Sequence, residues 1–155
     1  MSEPRARSIR AVLDTNVLVR GLTRTTGPSR EIFEALVGEK AFVLVTSADI
    51  LGELGDVLQR PAFRQHVELT DFEIMRAIRG LRSVAQLVPG AYVELKQVPT
   101  DPKDNMVVAC ALEGGANYLV TDDRRDLLPL KVILVGGYHP VQVVTPRGFL
   151  RLLGR

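Results

Sequence analysis

A single cysteine, Cys110, leaves this chain without the makings of an intrachain disulfide or a thiolate metal cluster. Its setting, Val107-Val108-Ala109-Cys110-Ala111-Leu112, predicts a small buried thiol rather than a reactive one. Histidines are almost as scarce. His66 and His139 are the only two, and neither falls in an HExxH spacing or beside a GxSxG elbow, which removes the common zinc-protease and serine-hydrolase chemistries. No GxGxxG or GxxxxGK[ST] loop is present to cradle a nucleotide cofactor. No apolar run approaches the roughly 20 residues that a membrane helix needs. Arg5, Arg7 and Arg10 ahead of Val12 to Val19 imitate a secretory leader, but Asp14 interrupts the apolar part and no small-residue cleavage site follows. The expectation is a soluble, cytoplasmic protein with no membrane contact.

What is there describes one ordinary globular unit. Hydrophobic residues at 46% and charged residues at 25% exclude disorder, and 155 residues suit a single core, so 1–155 reads as a single domain. No internal repeat, low-complexity segment or second-domain linker appears. The net charge of +2 is uninformative until its distribution is considered. Setting aside Asp14, Glu53, Asp104 and Asp123 leaves 20 basic against 14 acidic residues, a body suited to a phosphodiester substrate around an acidic centre.

The stretch Ile9-Arg10-Ala11-Val12-Leu13-Asp14-Thr15-Asn16 organises the chain. Its apolar first half predicts a strand buried on both faces, and it ends on a carboxylate. In open α/β sheets ligands bind outside the carboxyl ends of strands, so Asp14 would stand at the mouth of the cleft. Thr15 and Asn16 are small polar residues able to cap the next helix or hydrogen-bond Asp14. A second strand over 41–46 leads into a helix from Ser47 to about Gln59, ended by Pro61, whose second turn carries Glu53. Gly27-Pro28-Ser29 opens another helix, over about 30–37.

Thr70 and Glu73 form a capping box, with Leu69 and Ile74 as the accompanying staple, for a long helix to about Leu87. Arg76, Arg79 and Arg82 give that helix a basic face, a candidate for RNA contacts. Alternation over 92–98 predicts an edge strand. Asp101 and Pro102 then open a helix with Asp104 in its first turn, where the dipole favours an anion. Tyr118-Leu119-Val120-Thr121 is a further buried strand, closing on Asp122-Asp123-Arg124-Arg125-Asp126. Segments 130–135 and 141–144 are strand candidates, and 146–153 a terminal helix.

Strands alternate with helices, so right-handed crossovers would bring Asp14, Glu53, Asp104 and Asp123 to one sheet edge. Four clustered carboxylates repel unless protons or cations intervene. All-oxygen ligands suit hard divalent ions such as Mg2+ or Mn2+, which can activate water against a phosphodiester.

The same residues carry a resemblance. Val12-Leu13-Asp14-Thr15-Asn16-Val17, Glu53 within Ile50-Leu51-Gly52-Glu53-Leu54, Asp104 within Asp101-Pro102-Lys103-Asp104-Asn105, and Tyr118-Leu119-Val120-Thr121-Asp122-Asp123 resemble the successive acidic motifs of the PIN domain. Val144-Thr145-Pro146-Arg147-Gly148-Phe149-Leu150 resembles the branch that supplies toxin components of toxin–antitoxin systems, the VapC-like ribonucleases. The resemblance implies an α/β fold, a three-layer α/β/α sandwich around a mainly parallel sheet, and a magnesium- or manganese-dependent endoribonuclease. It further implies that Asp14, Glu53 and Asp104 hold the principal metal, that Asp123 completes the site, and that Asn16 and Thr121 support the acids. A homodimer and a small antitoxin partner are part of the same implication. The doubled acid admits Asp122 as the ligand, although the spacing from Thr121 matches Asp123. Two other readings stand beside the ribonuclease: a non-catalytic RNA-binding or regulatory module of the same fold, and a structure-specific DNA nuclease.

Overall fold

The computed structural model describes residues 8–89 and 102–155. Strand β1 (Arg10–Leu13) is followed by α1 (Thr15–Thr23), α2 (Pro28–Glu39), β2 (Val43–Ser47), α3 (Ala48–Gln59), the single turn α4 (Pro61–Arg64), α5 (Asp71–Val84) and β3 (Gln86–Val88). Then come α6 (Pro102–Glu113), β4 (Tyr118–Val120), β5 (Val132–Ile133), β6 (Val141–Val144) and α7 (Pro146–Leu152). The strands form one sheet in the order β3-β2-β1-β4-β6-β5, parallel except for β5, which pairs antiparallel with β6. Helices flank it, giving the expected three-layer α/β/α sandwich.

The order of strands explains where a ligand would go. From β1 the chain winds outward to β2 and β3; it then returns to pair β4 on the opposite side of β1. The carboxyl ends of β1 and β4 therefore flank a topological switch point, the place where a crevice opens in such sheets. Leu13 is in register with Val120, and the Asp14 N–H donates to the Val120 carbonyl at 2.9 Å, so the residues following both strands start as neighbours.

β1 is covered on both sides: Ala11, Val12 and Leu13 are all buried, as an inner parallel strand requires. Two glycines allow close approach of the layers. A Cβ on Gly114 would lie 2.3 Å from Cγ1 of Val45 in β2, and one on Gly21 in α1 would meet the Phe33 ring of α2 at 2.3 Å. Around α7, Phe149 meets Phe42 edge-on at 5.0 Å between ring centroids and Tyr118 at 5.9 Å.

Most elements lie where local pattern predicts them. The expected cap on α5 is present: the Thr70 hydroxyl accepts from the Glu73 N–H at 3.1 Å. The helix nevertheless ends at Val84, not near Leu87. Ala85 turns to extended backbone, and Gln86, Leu87 and Val88 pair in parallel with Val45, Thr46 and Ser47. A long-range ladder takes residues whose local spacing continues a helix. The segment 130–135 is likewise reduced to a two-residue strand, preceded by a 3-10 turn over Leu128–Leu130. The strand expected over 92–98 and the cap expected of Asp101 lie outside the described residues. No helix among those described is long and apolar enough to cross a membrane.

Candidate functional site

Asp14 is built into the start of α1. Its backbone is extended at φ −61°, ψ 154°, and it is itself the cap, rather than Thr15 or Asn16: its Oδ1 accepts from the Thr15 N–H at 2.8 Å. Its Oδ2 accepts from the Thr121 hydroxyl at 2.7 Å, so both carboxylate oxygens are oriented by neighbours. Thr121 is fully buried at the end of β4, and its hydroxyl also accepts from the Asp123 N–H at 2.9 Å. One side chain thus couples the acids that follow β1 and β4.

Glu53 reaches the same place from α3. Ser47, the last residue of β2, caps that helix through a 3.2 Å bond from the Ile50 N–H. On the second turn Glu53 Oε2 accepts from the Thr15 hydroxyl at 3.2 Å. Asp104 arrives on the first turn of α6 and is 8% exposed. One carboxylate oxygen from each of Asp104, Asp123 and Asp126 lies within 4.8 Å of the others. Asp123 Oδ1 accepts from the N–H groups of Arg125 and Asp126, both at 3.0 Å, which fixes its carboxylate in the turn.

Asp14, Glu53, Asp104 and Asp123 all line one open cavity of about 910 Å³. The charges act on one another. Burial pushes the Asp14 carboxyl above its ordinary value; the bonds from Thr121 and Thr15 oppose this, and the charges of Asp123 and Glu53 reinforce it. Asn16 lines the same cavity with its Oδ1 buried and without a hydrogen-bond partner among the described residues. Carboxylates lining one space, with the buried carboxamide oxygen of Asn16 beside them, form a donor set that fits a hard divalent cation.

The doubled acid divides its labour. Asp122 forms an ion pair with Arg20 of α1, while Asp123 joins the cluster. Asp126 is an addition: a carboxylate three residues after Asp123, in a turn, was the available signal. Arg76, Arg79 and Arg82 lie exposed on α5, and none lines the acidic cavity. The arginines that do are Arg20, Arg24, Arg60, Arg124 and Arg125, from α1 and its end, the α3–α4 junction and the turn after β4. Val57, Phe63 and Val67 supply an apolar part of its wall.

Comparison with known proteins bears on the family and the fold. An uncharacterized protein of Methanocaldococcus jannaschii is 29% identical over 147 residues, covering 92% of this chain and 90% of that protein. Among solved structures, VapBC2 from Rickettsia felis, bound to a DNA fragment from their promoter, superposes with a TM-score of 0.51 at 19% identity. That match covers 74% of this chain and 89% of the other and speaks to the fold. A family profile described as PIN domain matches residues 10–125, a span running from β1 through β4 to the turn beyond it. Matched across each of the elements that carry the four acids, the chain belongs to the PIN domain family.

Proposed function

We propose that this protein is a divalent-metal-dependent endoribonuclease that hydrolyses RNA phosphodiester bonds, the toxin of a toxin–antitoxin pair. The observation that carries the reading is the convergence of Asp14, Glu53, Asp104 and Asp123 on one cavity at the switch point of the sheet, with Asp126 beside Asp104 and Asp123. Such a concentration of carboxylates has a physical cost that a cation removes. Family membership supports a nuclease, and the structural neighbour, a toxin–antitoxin complex, supports a small antitoxin as partner. A homodimer belongs to the same proposal; light scattering that returns a monomer mass would remove it.

In this reading Asp14, Glu53, Asp104 and Asp123 hold Mg2+ or Mn2+, with Asp126 and Asn16 close by. When bound, the ion supplies Lewis-acid activation of water and neutralises charge at the phosphate. Thr121 and the Thr15 N–H keep Asp14 in one orientation, and the Thr15 hydroxyl does the same for Glu53. The surrounding arginines offset the charge of a polyanion entering an acidic cleft, and Phe63 with Val57 offers an apolar wall against which a nucleobase can lie.

The test is cleavage of labelled single-stranded RNA, hairpin RNA and DNA with manganese, with magnesium and with chelator, beside Asp14→Asn and Asp104→Asn. Metal-dependent RNA cutting, lost in both variants, is the expected result. Cutting of DNA alone would transfer the site to a DNA nuclease. Full activity in both variants would refute the metal assignment, and absence of both cutting and manganese binding would leave a non-catalytic module.

A further inference from the structure

Beside the acidic cavity lies a second one, of about 300 Å³, that the chemistry above does not use. It is bounded by the end of α1, the start of α2 and the start of α7. Four arginines line it, Arg20, Arg24, Arg124 and Arg147, against a single acid, Asp122, which is already paired with Arg20. Three of the four, Arg20, Arg24 and Arg124, also line the acidic cavity, so the two spaces share a wall.

We propose that this pocket binds a backbone phosphate of the RNA next to the one presented to the acids. The inference rests on the ribonuclease reading. Its physical basis is the separation of charge across the shared wall. A nuclease needs cations where the scissile phosphate sits, but the neighbouring phosphates of the same strand gain nothing from carboxylates and must be met elsewhere. Guanidinium groups match phosphate in a bidentate way, and four from three segments, α1 and its end, the turn after β4, and α7, line this space. The Arg20–Asp122 pair holds one of them at the boundary. The uncapped start of α2, a helix of 12 residues beginning after Gly27, adds potential of the same sign. An acidic protein segment would meet the same arginines, but extending across the shared wall would carry it against the carboxylates; a metal-bridged phosphodiester strand has favourable partners on both sides.

The experiment measures binding of a short fluorescein-labelled single-stranded RNA by anisotropy in the presence of manganese. It uses the Asp14→Asn protein so that the probe survives, alone and with Arg24→Gln, Arg147→Gln or both. Arg147 lines the second pocket but not the acidic one, and both side chains are exposed, so the fold tolerates their change. The expected result is about tenfold weaker binding for each arginine. The slope of log K against log[salt] should fall by about 0.7 for each phosphate that is no longer neutralised. Arg79→Gln, on the exposed face of α5, serves as control and should change neither. Unchanged affinity and slope in the double variant, with the parent still binding RNA, overturn the phosphate pocket and leave the nuclease reading standing. A wild-type protein that neither binds nor cuts RNA overturns both.

Discussion

Replacing Asp104 by Asn should stabilise the protein in chelator and make it indifferent to manganese. Oxygens of Asp104, Asp123 and Asp126 lie within 4.8 Å of one another, so the substitution removes two of the three repulsions in that group. At 4.8 Å each repulsion amounts to about 3.5 kcal/mol at an effective dielectric of 20 and about 0.9 kcal/mol in water, taking the separation from the cluster. Asp123 and Asp126 are partly exposed, so the pair of repulsions lies between about 2 and 7 kcal/mol. Against this stands the favourable placement of Asp104 on the first turn of α6, which contributes up to about 1 kcal/mol. Repulsion therefore wins, and the metal-free variant should gain at least about 1 kcal/mol, read as a higher urea midpoint at unchanged slope. Manganese at a hundredfold excess over its Kd should add about 2.7 kcal/mol to the wild type and nothing to the variant. A variant that is less stable in chelator, or that keeps the wild-type response to manganese, would refute the reasoning.

The two adjacent acids should separate in the same assay. Asp123→Asn should lose the manganese stabilisation, whereas Asp122→Asn, which disrupts only the pair with Arg20, should keep it; equal loss in both would return Asp122 to the metal site. Gly114→Ala should destabilise by about 1–3 kcal/mol, because its Cβ would lie 2.3 Å from Val45 Cγ1. A thermal midpoint equal to wild type would show that α6 and β2 yield freely. Burial pushes the Cys110 thiol from 9.0 to about 12, so the stability it contributes is complete below pH 9 and lost as pH rises through 12. Between pH ~8 and ~10.5 the wild type should therefore lose about 2 kcal/mol more than Cys110→Ala in urea unfolding; parallel losses would mean that the thiol titrates in the fold as it does in the unfolded chain.

Much of the acidic centre was legible because each carboxylate sits at a local signal. Asp14 and Asp123 follow short apolar strands, Glu53 lies on the second turn after a serine cap, and Asp104 occupies a helix first turn. These are properties of a few neighbouring residues, as are the buried character of Cys110 and the alternation of strand and helix that yields a parallel sheet. Other features were set by distant partners. β3 follows an otherwise helical spacing because β2 offers a ladder to it, a contact between residues some forty positions apart. Asp126 joins Asp104 only because the turn after β4 folds back toward α6. The arginines around the cleft come from α1, the α3–α4 junction, the turn after β4 and, in the second pocket, α7. Their meeting there, rather than along the α5 stripe that periodicity makes conspicuous, follows from the crossovers.

Local sequence therefore sets which acids stand at element ends and presents oxygen ligands of the kind that suit hard cations, since capping, strand burial and ligand hardness act over a few residues. Only the tertiary arrangement sets the pairing of Asp122 with Arg20, the arginines that face the cleft and the point where the chain abandons a helix for a strand. Each of those outcomes depends on the register and direction of parallel strands whose pairing is nonlocal.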